Sequence, residues 1–375
     1  MKSHPASPAA GPVSRRQFLG NLSFGAAALL ALRGRGLAAE APARKLGVAL
    51  VGLGSYSTGQ LGPALKVTNY CRLAGVVTGS PEKGRKWAQN YGFPETSIYD
   101  YATMSRIADN PDIDIIYVVT PNSLHAEHAI AAARTGKHVI CEKPFTTTVA
   151  EAEKVLAVFR EMKIKHSIGY RLHFDPYHQE LMRLARGDDF GPFMKTKGNF
   201  SFVMNSRPWR AIRKYSGGGP LMDVGVYVIQ AGCMAANGVA PVAVTAQYGP
   251  KTRPDIFQDV EETIAWTMEY PNGSVCNGRS SYQENGDWFH ADAARGWFEL
   301  TTAFVYRNLA GATSRGPLRF DPNFNQQAAQ MDDFARCILD DKPTRVPGEM
   351  GLRDMKIIEA IYQAADNGGR VLVKA

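Results

Sequence analysis

Lys137-His138-Val139-Ile140-Cys141-Glu142-Lys143-Pro144 brings an acid and a base to the end of a β-type run. The run follows a turn at Gly136, and Pro144, which has no backbone donor, ends it. In open α/β sheets ligands bind outside the carboxyl ends of the strands, so Glu142 and Lys143 stand where a reaction would be carried out. A second group with chemical meaning is Gly52-Leu53-Gly54-Ser55-Tyr56-Ser57, which follows the apolar run Leu46–Val51. Gly52 and Gly54 permit a tight turn and the close approach of a pyrophosphate to backbone N–H groups at a helix N-terminus. Ser57 replaces the third glycine of the usual fingerprint, but the position between a buried strand and a helix is the context the motif requires. The next strand ends Val77-Thr78-Gly79-Ser80-Pro81-Glu82-Lys83. A carboxylate at that tip would bond a ribose 2′-hydroxyl, whereas Thr78 with Lys83 and Arg85 suits a 2′-phosphate. The expected cofactor is therefore NADP, with Glu82 the competing NAD-type candidate.

These groups need a scaffold, and the order of elements supplies it. Strand-like runs at 46–51, 73–78, 113–120, 137–141 and 164–168 alternate with helical stretches at 82–91, 123–135 and 149–163. Alternation of this kind implies a doubly wound parallel sheet. After about Tyr170 the rhythm changes to β-rich segments at 193–203, 242–248, 262–270, 274–281 and 297–306, with turns such as Pro271-Asn272-Gly273. One helix is expected over 224–236, and two more, over 326–339 and 351–365, are expected to pack back on the first domain. The expected fold is an α/β Rossmann domain over 42–168, followed by an α+β domain over 169–375 with an open, mostly antiparallel sheet.

Residues 1–41 read as an export signal. Ser14-Arg15-Arg16-Gln17-Phe18-Leu19 has the twin-arginine pattern, an apolar run follows to Leu32, and small residues lie near Ala39 and Ala41. Expected partners are the twin-arginine export machinery and, in the periplasm, small-molecule substrates. Lys2, Arg15, Arg16, Arg33 and Arg35 fall in residues 1–39 with no acid, so removing them takes 43 basic residues to 38 against 35 acidic and the net charge from +8 to +3. No basic stripe with interleaved aromatics points to nucleic acid. The apolar run is too short for a comfortable membrane span, so no membrane association is expected of the mature chain. Cys71, Cys141, Cys233, Cys276 and Cys337 are scattered with no Cys-x-x-Cys spacing, so no metal site is expected.

Several further motifs carry a resemblance when taken together: Ile98-Tyr99-Asp100-Tyr101, Pro121-Asn122-Ser123-Leu124-His125-Ala126, Cys141-Glu142-Lys143-Pro144, Ile168-Gly169-Tyr170-Arg171, and Gly217 through Tyr227 with Asp223 inside it. With the Gly52–Tyr56 turn, they make the chain similar to the glucose-fructose oxidoreductase/inositol dehydrogenase family, and within it to the branch of glucose-fructose and aldose-aldose oxidoreductases. The resemblance covers nearly everything after residue 44. It implies tightly held NADP(H), sugar substrates, and Lys143 and Tyr227 flanking the reacting sugar carbon with Asp223 and Arg171 nearby. It also implies cofactor contacts from Tyr101, Asn122, His125 and Glu142, and Ser55, Tyr56, Lys143 and Arg171 join Gly52 and Gly54 as further cofactor-binding candidates. Only a few residues separate Ala41 from Leu46, so the long arm that glucose-fructose oxidoreductase folds over its cofactor is missing, and both the sugar pair and the homo-oligomer stay open.

The chemistry of the residues agrees with this implication. Oxidising a sugar hemiacetal at C1 needs a base for the hydroxyl proton and an adjacent hydride acceptor. A tyrosine ordinarily titrates near pKa ~10 and needs a cation beside it to act as a base near neutral pH, which Lys143 can supply. Asp223, four residues before Tyr227, would share its helical face and hold Lys143 or a sugar hydroxyl, and the N-cap of its helix is a rival role compatible with the first. His173, Trp209 and Arg210 are further candidates for sugar contacts, whereas Tyr306 is not expected to reach the site. The reading is a periplasmic enzyme that oxidises an aldose to its lactone and reduces a second sugar in a ping-pong cycle. The alternatives are an NADP-dependent sugar dehydrogenase that releases its cofactor each turn, and a non-catalytic sugar- or nucleotide-sensing protein.

Overall fold

The computed structural model describes residues 44–374, and the expected export signal lies outside them. Six strands form the first sheet: β1 (Leu46–Val51), β2 (Cys71–Val77), β3 (Ile98–Tyr99), β4 (Ile115–Val118), β5 (His138–Cys141) and β6 (His166–Ile168). Their order is β3-β2-β1-β4-β5-β6, and every pairing is parallel. β1 and β4 are buried along their whole length because helices cover both faces, which is why their sequences are continuous apolar runs rather than alternating ones. Helix Pro81–Tyr91 begins where the Ser80 side chain accepts the Lys83 amide and ends at Gly92 in the left-handed region (φ 73°). Helix Val149–Glu161 begins with a capping box between Thr148 and Glu151.

The second sheet has nine strands: β7 (Phe193–Ser201), β8 (Ala243–Tyr248), β9 (Thr263–Glu269), β10 (Val275–Ser281), β11 (Gly286–Ala293), β12 (Gly296–Thr302), β13 (Ala310–Thr313), β14 (Gly316–Pro317) and β15 (Arg370–Leu372). Their order is β14-β13-β12-β11-β7-β10-β9-β8-β15, and all pairings are antiparallel except β7 with β10. Helix Val226–Ala235 is buried throughout and packs on this sheet. The structure adds strands β3, β11, β13, β14 and β15 and, among its helices, Pro176–Arg186 to the expected elements. That helix is capped by Asp175, whose carboxylate accepts the amides of Tyr177 and His178.

Helix Gln326–Leu339 returns to the first sheet: Met331 and Phe334 join the core beside β1 and β2, and the Asp332 carboxylate accepts the amides of Asn69 and Tyr70, each at 2.8 Å. Helix Gly348–Asn367 packs on both β6 and β8, so it ties the two sheets together rather than covering the first alone. None of the described helices is long and apolar enough to cross a membrane.

Candidate active site

The strand order reverses between β1 and β4, and in open α/β sheets the ligand crevice lies outside the carboxyl ends of the strands at that point. After β1, Gly52 takes φ +99°, and a Cβ there would lie 2.9 Å from the Val119 carbonyl. Only glycine fits that turn. Gly54 and Ser55 are exposed, and a Cβ on Gly54 would meet nothing within 4 Å. The turn therefore presents open backbone at a helix start, a cradle into which a dinucleotide pyrophosphate fits. Ser57, standing for the third glycine, donates its hydroxyl to the Gly52 carbonyl at 2.6 Å and is buried.

At the tip of β2, Thr78 is buried and accepts the Ser80 amide on its hydroxyl. Lys83 reaches back across the crevice, with its Nζ donating to the Leu53 carbonyl at 3.2 Å. An ammonium is thereby held between the glycine turn and the end of β2. No carboxylate occupies Thr78 or Gly79. Tyr101 lies beside Gly79, half-exposed, with its ring stacked on His128 at 5.0 Å.

Below this crevice, Glu142 and His125 are turned into the protein. Glu142 is buried and accepts the Tyr117 hydroxyl at 2.7 Å and the Lys143 amide at 3.2 Å. Burial raises its pKa, and the Tyr117 hydrogen bond and the Lys143 charge oppose that rise. Gly169 packs so closely that a Cβ would fall 2.5 Å from Glu142 Oε1. His125 sets Nδ1 against the Pro144 carbonyl at 2.8 Å and Nε2 against the Thr120 carbonyl at 2.9 Å. Two carbonyl acceptors favour the imidazolium, but burial outweighs them and pushes the pKa down to about 4. The ring thus ties the end of β4 to the Lys143-Pro144 turn. Asn122 is also buried and donates to the Ser216 carbonyl at 2.8 Å.

Lys143 points from the end of β5 toward the second domain. Its Nζ donates to the backbone carbonyl of Asp223 at 2.9 Å and stands 4.7 Å from the centre of the Tyr227 ring. The Asp223 carboxylate is engaged elsewhere: Oδ1 accepts Arg210 Nε at 3.1 Å and Oδ2 accepts the Tyr282 hydroxyl at 3.2 Å. Asp223 lies within a π-helical turn, Leu221–Gly225, and caps neither that turn nor helix Val226–Ala235. The expectation that its side chain holds Lys143 or caps the helix is corrected on both counts; the main chain holds Lys143.

Arg171 bonds the phenol oxygen directly. Its Nε donates to the Tyr227 hydroxyl at 3.2 Å, and its guanidinium lies 4.6 Å from the ring centres of both Tyr227 and Tyr306. The remaining guanidinium nitrogens donate to Gln326 and to the carbonyls of Phe304 and Val305. Burial works against the charge of Arg171, but Tyr227, Tyr306 and Tyr56 outweigh it and raise its pKa. Tyr306 stands 5.9 Å from Tyr56, so the second domain does reach over the crevice, contrary to the sequence expectation.

Arg210 stacks on Trp209 at 4.3 Å and, through Asp223, joins this cluster. His173 does not: it is buried, with Nε2 2.7 Å from Gln230 Oε1, and lines a different cleft with Arg353 and Met350. Burial pushes its pKa down to about 4. Its proposed sugar contact is corrected by this placement. Tyr282, which sequence reasoning missed, is fully buried behind Asp223.

Comparison with known proteins puts this geometry in a family. Residues 46–170 match the oxidoreductase family model with an NAD-binding Rossmann fold (GFO/IDH/MocA), and residues 178–301 match the GFO/IDH/MocA C-terminal domain. A solved structure of aldose-aldose oxidoreductase from Caulobacter crescentus, complexed with glycerol, is 39% identical with a TM-score of 0.84, covering 88% of this chain and 100% of that one. The chain belongs to the GFO/IDH/MocA oxidoreductase family. D-xylose 1-dehydrogenase [NADP(+)] of Haloarcula marismortui is another family relative, 27% identical over 336 residues that make up 86% of this chain and 92% of that one. Levoglucosan dehydrogenase, solved with NADH and levoglucosan, shares the fold at 21% identity and a TM-score of 0.76, with 88% of this chain and 100% of that one covered.

Proposed function

We propose that this oxidoreductase acts on sugars in the periplasm, oxidising an aldose at C1 to its lactone and reducing a second sugar to an alditol while NADP(H) stays bound. The observation that carries the reading is the buried Tyr227 with two cations against it, Arg171 Nε 3.2 Å from its oxygen and Lys143 Nζ 4.7 Å from its ring centre. The 39% identity to an aldose-aldose oxidoreductase supports aldoses in both half-reactions.

A bound nicotinamide dinucleotide supplies the hydride acceptor of one half-reaction and the donor of the other. The chain's own residues do the rest. Tyr227 takes the C1 hydroxyl proton, with Arg171 Nε bonded to its oxygen and Lys143 beside its ring. In the reductive half Tyr227 returns the proton to the carbonyl oxygen of the second sugar. Lys143, held by the Asp223 carbonyl, keeps N–H donors for the sugar oxygen. The Trp209 face and the Arg210–Asp223 pair offer an apolar plane and a fork of polar groups to the rest of the ring.

Lys83 between the glycine turn and β2, with Thr78 where an NAD site would carry a carboxylate, supports NADP over NAD. The twin-arginine pattern supports export of the folded, loaded protein, and free NADP is not expected outside the cytosol. The likeness to a D-xylose 1-dehydrogenase [NADP(+)] favours a second reading, a dehydrogenase that exchanges its cofactor each turn. The cofactor content of purified, dialysed protein separates the two. Stoichiometric NADP(H) supports the resident-cofactor cycle, and cofactor-free protein that needs added NADP supports the dehydrogenase.

A further inference from the structure

A cleft of about 820 Å³, none of whose lining residues belongs to the Tyr227 cluster, has Arg186, Arg345, Arg353, His173, Gln230 and Met350 among its lining. We infer that this cleft is a second ligand site, taking a small organic anion with a carboxylate or phosphate head.

The charge facing the cleft decides the ligand class. Four arginines line it (Arg183, Arg186, Arg345 and Arg353) against one carboxylate, Glu180. The other acidic partners of these arginines do not line the cleft: Asp189 pairs with Arg183, Asp333 with Arg345 and Asp354 with Arg353. Arg345 uses only its Nε for Asp333, and among the described residues Arg186 makes no ion pair. Their free guanidinium edges match the two oxygens of a carboxylate or phosphate.

The floor is built rather than accidental. Gln230 is 1% exposed, accepts His173 Nε2 and donates to Asp354, which in turn fixes Arg353. Met350, Met234 and Phe320 add an apolar wall for the ligand's body. The site shares its two supporting elements with the catalytic pair. The short helix Arg171–Phe174 gives Arg171 to Tyr227 and His173 to the cleft, and helix Val226–Ala235 gives Tyr227 to one site and Gln230 to the other.

Titration calorimetry on the cofactor-loaded protein tests the inference with three probes: gluconate, glucose 6-phosphate and uncharged glucose. The choice of gluconate rests on the proposed aldose oxidation, because a lactone opens to an aldonate, but the measurement reads binding and not activity. Binding of either anion to a site that glucose does not occupy is expected. Preference for gluconate or for the phosphate ester identifies the head group. Arg345→Gln and Arg186→Gln, both at exposed side chains, should each weaken that binding about tenfold or more, the loss of one charge-assisted hydrogen bond, with aldose oxidation unchanged in the absence of anion. The inference is overturned if neither anion binds, or if binding survives both variants and disappears in Lys143→Ala, which would put the anion in the sugar crevice. Neither result bears on the oxidoreductase reading, which cofactor content tests separately.

Discussion

Removing the Tyr227 hydroxyl should expose how the proton is handled. The phenol oxygen has one cationic donor, Arg171 Nε at 3.2 Å, and its ring lies under Lys143. Tyr227→Phe keeps the ring that packs on Phe200 and Phe304, so the fold is retained. Its stability cost is the unpaired Arg171 Nε, about 1–3 kcal/mol. Losing a positioned general base slows the reaction by roughly 10²–10⁴-fold. That corresponds to about 2.7–5.5 kcal/mol of barrier. Lys143→Ala removes the second cation and should cost a comparable factor. Because both groups act on one proton transfer, the double variant should lose far less than the product of the single losses. Stopped-flow mixing of each loaded variant with aldose reads the oxidative half-reaction as nicotinamide reduction, and a second sugar reads the reductive half. Reduction by Tyr227→Phe within a few-fold of the parent rate refutes the assignment.

Other consequences follow from the same geometry. Lys83→Ala removes the ammonium held at the Leu53 carbonyl, and Thr78→Asp places a carboxylate where a 2′-phosphate would lie; each should weaken NADP by tenfold or more relative to NAD, and equal retention of both nucleotides by both variants contradicts the NADP site. Changing Arg15 and Arg16 together to lysine should leave unprocessed precursor in the cytosol, and undiminished periplasmic activity would remove the export proposal. His125 and His173, each pushed down to about 4 by burial, bind fewer protons folded than unfolded between that value and the ordinary 6.5. Folding stability should therefore be complete above about pH 6.5 and fall as pH drops toward 4. A urea midpoint that does not move between pH 7 and pH 5 would show that these histidines are not held neutral.

The first domain was legible because its chemistry is local. Strands buried on both faces spell continuous apolar runs, as in Leu46–Val51, and the glycine turn follows β1 in the same stretch. The Lys143 position was legible for the same reason, since β5 and its proline stop are contiguous. The second domain was less so. Strand β11, Gly-Asp-Trp-Phe-His-Ala-Asp-Ala, opens on a turn-forming pair and carries three charged or titratable side chains, so its strand character comes from pairing with β7 and β12. The Arg171–Tyr227 bond spans 56 residues, and no periodicity encodes it. The support for Lys143 comes from a main-chain carbonyl of Asp223, an atom every residue type has, so side-chain reasoning turned to the carboxylate instead. Helix Pro176–Arg186 did have a signal, Asp175 before a proline at its first position, and that signal could have been read.

The proposed sugar oxidoreductase completes its cycle on a resident cofactor. The most direct measurement is the absorbance of purified, dialysed protein with no nucleotide added, before and after an aldose and then after a second sugar. Reduced-nicotinamide absorbance is expected to appear with the aldose, in proportion to the protein, and to be bleached by the second sugar. No change in absorbance until free NADP is supplied would contradict it.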